Sequence, residues 1–179
     1  MDADPLPFPL SRSRADNDLE ARFERLLADN RTSLSRLAYS YTSTPADRED
    51  LLQDIAVAIW QALPAFRGEC SERTFVYRIA HNRSLTALAR RRPEHGAIEE
   101  ESVDPLPPVE TVIAGKQESS RLAEAVRRLP LPYRQVVVLV LEGLEYGEIA
   151  EVLGISESNV GVRLSRARPL LRQMMEGRR

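Results

Sequence analysis

The sequence predicts an all-α protein made of two small helical domains, and three observations lead there. Apolar residues recur at three- and four-residue spacing through most of the chain. No segment needs a strand to account for its pattern. Between two such helical groups lies a stretch at 93–117 with Gly96, Pro105, Pro107, Pro108 and almost exclusively acidic charge, which reads as a flexible linker rather than a buried loop.

Residues 1–17 contain Pro5, Pro7 and Pro9 without periodicity and read as a flexible tail. The first domain, 18–92, then opens on a helix marked by Phe23, Leu26, Leu27, Leu34, Leu37, Ala38 and Tyr41. Ser43-Thr44-Pro45 breaks it, with Thr44 placed to cap the next helix and Pro45 suited to its first turn. That helix, expected over 46–63, should bury Leu51, Leu52, Ile55, Ile59 and Trp60. Pro64 and Gly68 bracket a loop, and Ser71 can cap a third helix to residue 92. The second domain, 118–179, reads as four short helices at about 118–129, 132–141, 146–153 and 157–175. Pro169 should end or kink the last of them.

Composition narrows the function. Apolar residues make up 42% and charged residues 29%, values of a globular chain. The longest apolar run, 136–141, is far too short to span a bilayer, and the acidic N-terminus is unlike a signal peptide. Neither membrane insertion nor export is therefore expected. A single cysteine, Cys70, and two histidines, His81 and His95, argue against a disulfide or a zinc site. A cytoplasmic location is the expectation, with no cofactor. No nucleophile, base and acid assemble around either histidine, and no Gly-rich phosphate loop is present, so an enzyme is not expected.

The net charge of −2 hides segregated blocks. Residues 63–92 hold seven arginines against two glutamates, and 155–179 hold six against two. Between them, 93–118 carries seven acidic residues and only Lys116. Two basic blocks suit a polyanion, although solvated faces would account for them equally well.

The strongest local pattern lies at 146–165. Ala150 is small where two helices must cross, and Gly154 supplies a positive φ that turns the chain. Ile155 plugs the turn, Ser156 can cap the next helix, and Val160 and Leu164 return to the core. Ser158, Asn159, Val162, Arg163 and Arg166 would then face a DNA major groove, with Glu157, Gly161 and Ser165 beside them. An ordinary αα-hairpin is the plainer explanation, but it leaves Arg163, Arg166 and Arg168 without a purpose.

Several stretches resemble extracytoplasmic-function (ECF) sigma factors of the sigma-70 family. Asp47-Arg48-Glu49-Asp50-Leu51-Leu52-Gln53-Asp54-Ile55, then Ile59-Trp60-Gln61-Ala62-Leu63-Pro64-Ala65-Phe66-Arg67-Gly68-Glu69, and Thr74-Phe75-Val76-Tyr77-Arg78-Ile79-Ala80-His81-Asn82-Arg83 are similar to region two. Leu129-Pro130, Arg134, Glu148-Ile149-Ala150-Glu151-Val152-Leu153-Gly154 and Arg163-Leu164-Ser165-Arg166-Ala167-Arg168 are similar to region four. The resemblance runs in order over residues 23–171. It implies an alternative sigma factor that directs core RNA polymerase to promoters and assists their opening, with promoter DNA and an anti-sigma factor as further partners. On this resemblance Asp50, Gln53, Asp54 and Val57, with Gln61, bind the β′ clamp helices of the polymerase. Phe66, Arg67, Arg78, Asn82 and Arg83 contact the minus-ten element, the loop and Asn82 enclosing a base that has left the stack. Ser158, Asn159, Val162, Arg163 and Arg166 contact the minus-thirty-five element. The chain departs from the family at Phe75, where Trp is frequent, and at Gly161 and Val162, where a basic and a small polar residue are usual. The alternative is a stand-alone helix-turn-helix regulator, and a purely protein-binding helical adaptor is a third reading.

Overall fold

The computed structural model describes residues 14–90 and 113–176. Among them are seven α-helices and no strand: α1 (Arg14–Tyr41), α2 (Pro45–Ala62), α3 (Glu72–Arg90), α4 (Ile113–Arg128), α5 (Leu131–Leu141), α6 (Tyr146–Leu153) and α7 (Glu157–Glu176). Helix α1 begins inside the stretch read as a tail, and α4 begins inside the stretch read as a linker. The rest of both stretches, with Arg91 and Arg92, lies outside the described residues.

Local chemistry sets the helix boundaries. At α2, the Thr44 side chain accepts from the Asp47 N–H at 3.2 Å, and Pro45 fills a position whose N–H has no intrahelical partner. A short 3₁₀ turn (Leu63–Ala65) carries Pro64 and ends α2. Ser71 caps α3, its hydroxyl accepting from the Thr74 N–H at 3.0 Å. Helices α1, α2 and α3 pack on one another through Leu26, Leu34, Leu37, Leu51, Ile55, Ile59, Phe75, Val76 and Ala80, all buried. Trp60 departs from expectation. It is 40% exposed and meets Phe23 edge-on at 5.1 Å, because it sits at the border of the apolar stripe.

Helices α4 to α7 enclose Val126, Leu129, Val136, Leu139, Ile149, Val152, Val160, Leu164 and Ala167. Helix α7 continues through Pro169 to Glu176, close to the expected span of 157–175. Pro169 is exposed, so the carbonyl it leaves unbonded can turn to water, while Leu170, Leu171 and Met174 beyond it still pack on the core. That apolar anchoring offsets a penalty of roughly 3 kcal/mol for proline inside a helix.

The two halves are not independent bodies. The sequence suggested two domains joined by a flexible linker, but α3 packs along α6, and α1 packs on α4 and α5. Arginines make most of the polar seam. Arg127 and Arg134 donate to the carbonyls of Thr42 (3.3 Å) and Ser40 (3.2 Å) at the end of α1, where helical carbonyls lack partners. Arg73 does the reverse, donating to the carbonyls of Glu142 and Gly143 just past α5. Arg36 of α1 grips the Glu142 carboxylate with two N–H groups, one of them at 2.8 Å. Beside this pair lies a cleft of about 450 Å³ lined in part by Asp29, Asn30, Arg73 and Tyr77.

Candidate nucleic-acid interface

Helices α6 and α7 form the helix-turn-helix that the sequence pattern foretold. Glu145 and Glu148 make a capping box at the start of α6, the Glu148 carboxylate accepting from the Glu145 N–H at 2.9 Å. Gly154 ends the helix at φ 64°, ψ 37°, which lets the N–H of Ile155 return to the Ala150 carbonyl at 3.1 Å. A Cβ at Gly154 would meet nothing within 4 Å, so glycine serves the backbone angle and not close packing. Ser156 then caps α7 by accepting from the Asn159 N–H at 3.2 Å. Val160, Leu164 and Ala167 anchor α7 inward.

This register leaves a continuous outer face. Glu157, Ser158, Asn159, Val162, Ser165 and Arg166 are exposed, while Gly161 and Arg163 are half-buried. Val162 is 42% exposed, an apolar contact surface among polar neighbours. Gly161 lies beside the Tyr146 ring, its would-be Cβ at an ordinary 3.8 Å, so a side chain there is sterically allowed.

The first half presents two more surfaces. On α2, Asp50, Gln53, Asp54, Val57 and Gln61 are all exposed, opposite the buried Leu51, Ile55 and Ile59. Val57 and Trp60 add exposed apolar area to this acidic ridge, where the sequence had placed Trp60 in the core. Asp54 lies 3.9 Å from Arg90 across a solvated gap.

On the loop and α3, Arg67, Asn82 and Arg83 are exposed. Phe66 is half-buried, its ring tilted against Phe75 at 4.4 Å between centroids, with the Arg22 guanidinium 5.2 Å from its centroid. It therefore closes the loop onto α3 as well as standing near the basic face. Gly68 turns the loop at φ 78°. Arg78, partly exposed, lies 3.6 Å from the Glu151 carboxylate of α6 and 3.6 Å from the Cys70 sulfur. Burial raises the Cys70 thiol pKa against the opposing pull of Arg78. Behind this face His81 is buried edge-on to Tyr41, and desolvation lowers its pKa to about 4. The sequence offered no sign of that burial.

Among the described residues no group of three or more metal-binding side chains assembles, and no helix is long and apolar enough to cross a membrane.

Comparison with known proteins matches residues 26–94 to Sigma-70 region 2 and residues 119–171 to Sigma-70, region 4. The chain is 34% identical to the ECF RNA polymerase sigma factor SigG of Mycobacterium tuberculosis over 167 residues, covering 79% of this chain and 45% of SigG, so it spans under half the length of that relative. It is 31% identical to SigM of the same organism, over 86% of this chain and 76% of SigM. Among solved structures, CnrH of Cupriavidus metallidurans in complex with the cytosolic domain of CnrY matches at a TM-score of 0.66 and 28% identity, over 92% of this chain and 99% of that one. The chain belongs to the ECF subfamily of the sigma-70 family of RNA polymerase sigma factors.

Proposed function

We propose that the chain is an alternative sigma factor that recruits core RNA polymerase to a promoter and helps to open it. The observation that carries this reading is the pairing, in one chain, of an outward α7 polar face with a separate exposed acidic ridge on α2. A regulator working alone has no need of the second surface.

In this account Asp50, Gln53, Asp54 and Val57, joined by Trp60, meet the clamp helices of the polymerase. An acidic, glutamine-bearing ridge with apolar area at its centre suits a basic helical partner. Arg163 and Arg166 engage duplex DNA at the minus-thirty-five element, with Ser158, Asn159 and Val162 able to reach base edges. At the minus-ten element Asn82 and the loop carrying Phe66 and Arg67 receive an unstacked base, while Arg78 and Arg83 hold backbone phosphates. The protein contributes binding energy to strand opening and no bond-making step. CnrH was solved in complex with the cytosolic domain of CnrY, and we propose a comparable protein antagonist, an anti-sigma factor, for this chain.

Co-purification tests the reading directly. Tagged full-length chain should retain bacterial core RNA polymerase through a salt wash, and the Asp50→Arg/Asp54→Arg double variant should not. Tight binding to a palindromic duplex without polymerase, and no retention of polymerase, would point to the stand-alone regulator instead.

A further inference from the structure

We propose that Arg22 of α1 is a positioning residue for base recognition by the minus-ten loop, acting through Phe66 and Glu72 without itself touching DNA. The inference rests on the minus-ten reading of that loop and adds to it a residue from a helix outside the loop and α3.

The loop is fixed at its ends and open between them. At its start the Phe66 N–H donates to the Leu63 carbonyl at 3.1 Å, and the Phe66 ring lies against Phe75. At its far end Ser71 caps α3, whose first residue is Glu72. Arg67, Gly68 and Glu69 between them are exposed, and Gly68 carries a positive φ of 78°. An exposed arch with few buried contacts opens locally at little cost, so its shape depends on what holds the two ends.

Arg22 ties those ends together. Its Nε donates to Glu72 Oε1 at 2.8 Å, and its guanidinium carbon lies 5.2 Å from the centroid of the Phe66 ring. One side chain therefore meets both the first residue of the loop and the first residue after it. Arg25, one turn along α1, supports the same carboxylate from 3.5 Å. Glu72 stands in the first turn of α3, where a helix N-terminus favours negative charge. The strut has a firm base. Next to Arg22, Phe23 packs edge-on against Trp60 of α2 at 5.1 Å, and Leu26, one turn on, is buried.

Charge argues against direct contact with DNA. An unopposed arginine on this face would serve as a phosphate ligand, but Glu72 meets the Arg22 charge at hydrogen-bond distance. What Arg22 contributes is a planar cation beside an aromatic ring, an attraction that fixes where the ring sits. The ion pair is 33% and 37% exposed on its two sides, so its loss leaves the helical core intact. Removing Arg22 should therefore damage recognition and spare folding.

Strand binding by the holoenzyme tests this. Full-length chain is assembled with core polymerase, and a single strand is selected from a library randomised at the minus-ten positions. Copies of that strand made abasic at each position in turn locate the pocket base, the one whose loss costs the wild type most affinity. Arg22→Ala should weaken the intact strand about fivefold and leave the strand lacking the pocket base unchanged. Its melting temperature should stay within a few degrees of wild type. The salt slope of strand binding should not change, because no phosphate contact is lost. Arg22→Lys, which keeps a cation able to reach Glu72 and the ring, should recover most of the affinity. Three results would each overturn the proposal: unchanged affinity in Arg22→Ala, an equal loss on intact and abasic strands, or a salt slope lower by about one unit. If wild-type holoenzyme selects no strand, the minus-ten reading falls and takes the proposal with it. If the wild type selects and Arg22→Ala binds as well, the proposal alone fails.

Discussion

Arg36 and Glu142 lie 106 residues apart in the chain, yet they form the most buried ion pair between the two halves, and deleting either partner should have unequal consequences. The Glu142 side chain is 4% exposed, whereas that of Arg36 is 41% exposed. Arg36→Ala strands a carboxylate that has almost no access to water. Breaking a buried pair in that way costs about 3–5 kcal/mol, with the lower end favoured here because the adjoining cleft gives water a route in. Glu142→Ala leaves a guanidinium that already reaches solvent, so the loss is that of charge-assisted hydrogen bonds, about 1–3 kcal/mol. The hydrogen bond to Glu142 raises the Arg36 pKa, so the carboxylate favours the charged guanidinium. Urea unfolding of both variants, followed by far-ultraviolet circular dichroism and extrapolated to water, measures the difference. Arg36→Ala should be the worse by roughly 1–2 kcal/mol, and the double variant should cost less than the sum. A Glu142→Ala loss equal to or greater than that of Arg36→Ala would refute the burial argument.

Four further outcomes follow from particular side chains. His81 folds with a pKa of about 4, below its unfolded value, so its contribution is fully present above pH ~6.5 and fades as pH falls toward 4. Acidification from pH 7 to 5 should remove about 2 kcal/mol of stability through this group, and His81→Gln should flatten that slope in pH-dependent melts. Gly154→Ala, forced to a positive φ without any clash, should cost about 1–2 kcal/mol in thermal unfolding, and Gly154→Asn less. Asn82→Ala should reduce permanganate reactivity of opened promoter thymines at unchanged stability, since Asn82 is exposed; Phe66→Ala should do so while also lowering the melting temperature, because it strips the ring tilted against Phe75. Selection of a randomised minus-thirty-five library should show Arg166→Ala relaxing one or two positions, while the half-buried Arg163→Ala weakens all sequences alike and lowers the salt slope by about one unit.

What was legible in the sequence was mostly local. Thr44, Ser71, Gly154 and Ser156 act on backbone groups within a few residues, so their types and spacing were enough to place four helix ends. The α7 face followed from where Val160 and Leu164 must point. Contacts between the halves were hidden because they join residues such as Arg134 and Ser40, or Arg36 and Glu142, whose proximity no short pattern encodes. Opposite charge in two distant segments reads equally well as two solvated faces. Trp60 went astray for a related reason. Local rules assigned it to the core, but the edge of the α2 stripe left it partly in water.

The most direct test of the central claim is single-round run-off transcription with purified bacterial core RNA polymerase on a randomised promoter library. Transcripts should appear only when the full-length chain is present, start downstream of enriched sequences at both promoter elements, and vanish with Asp50→Arg/Asp54→Arg. An absence of chain-dependent transcripts, with polymerase active alongside another sigma factor, would contradict it.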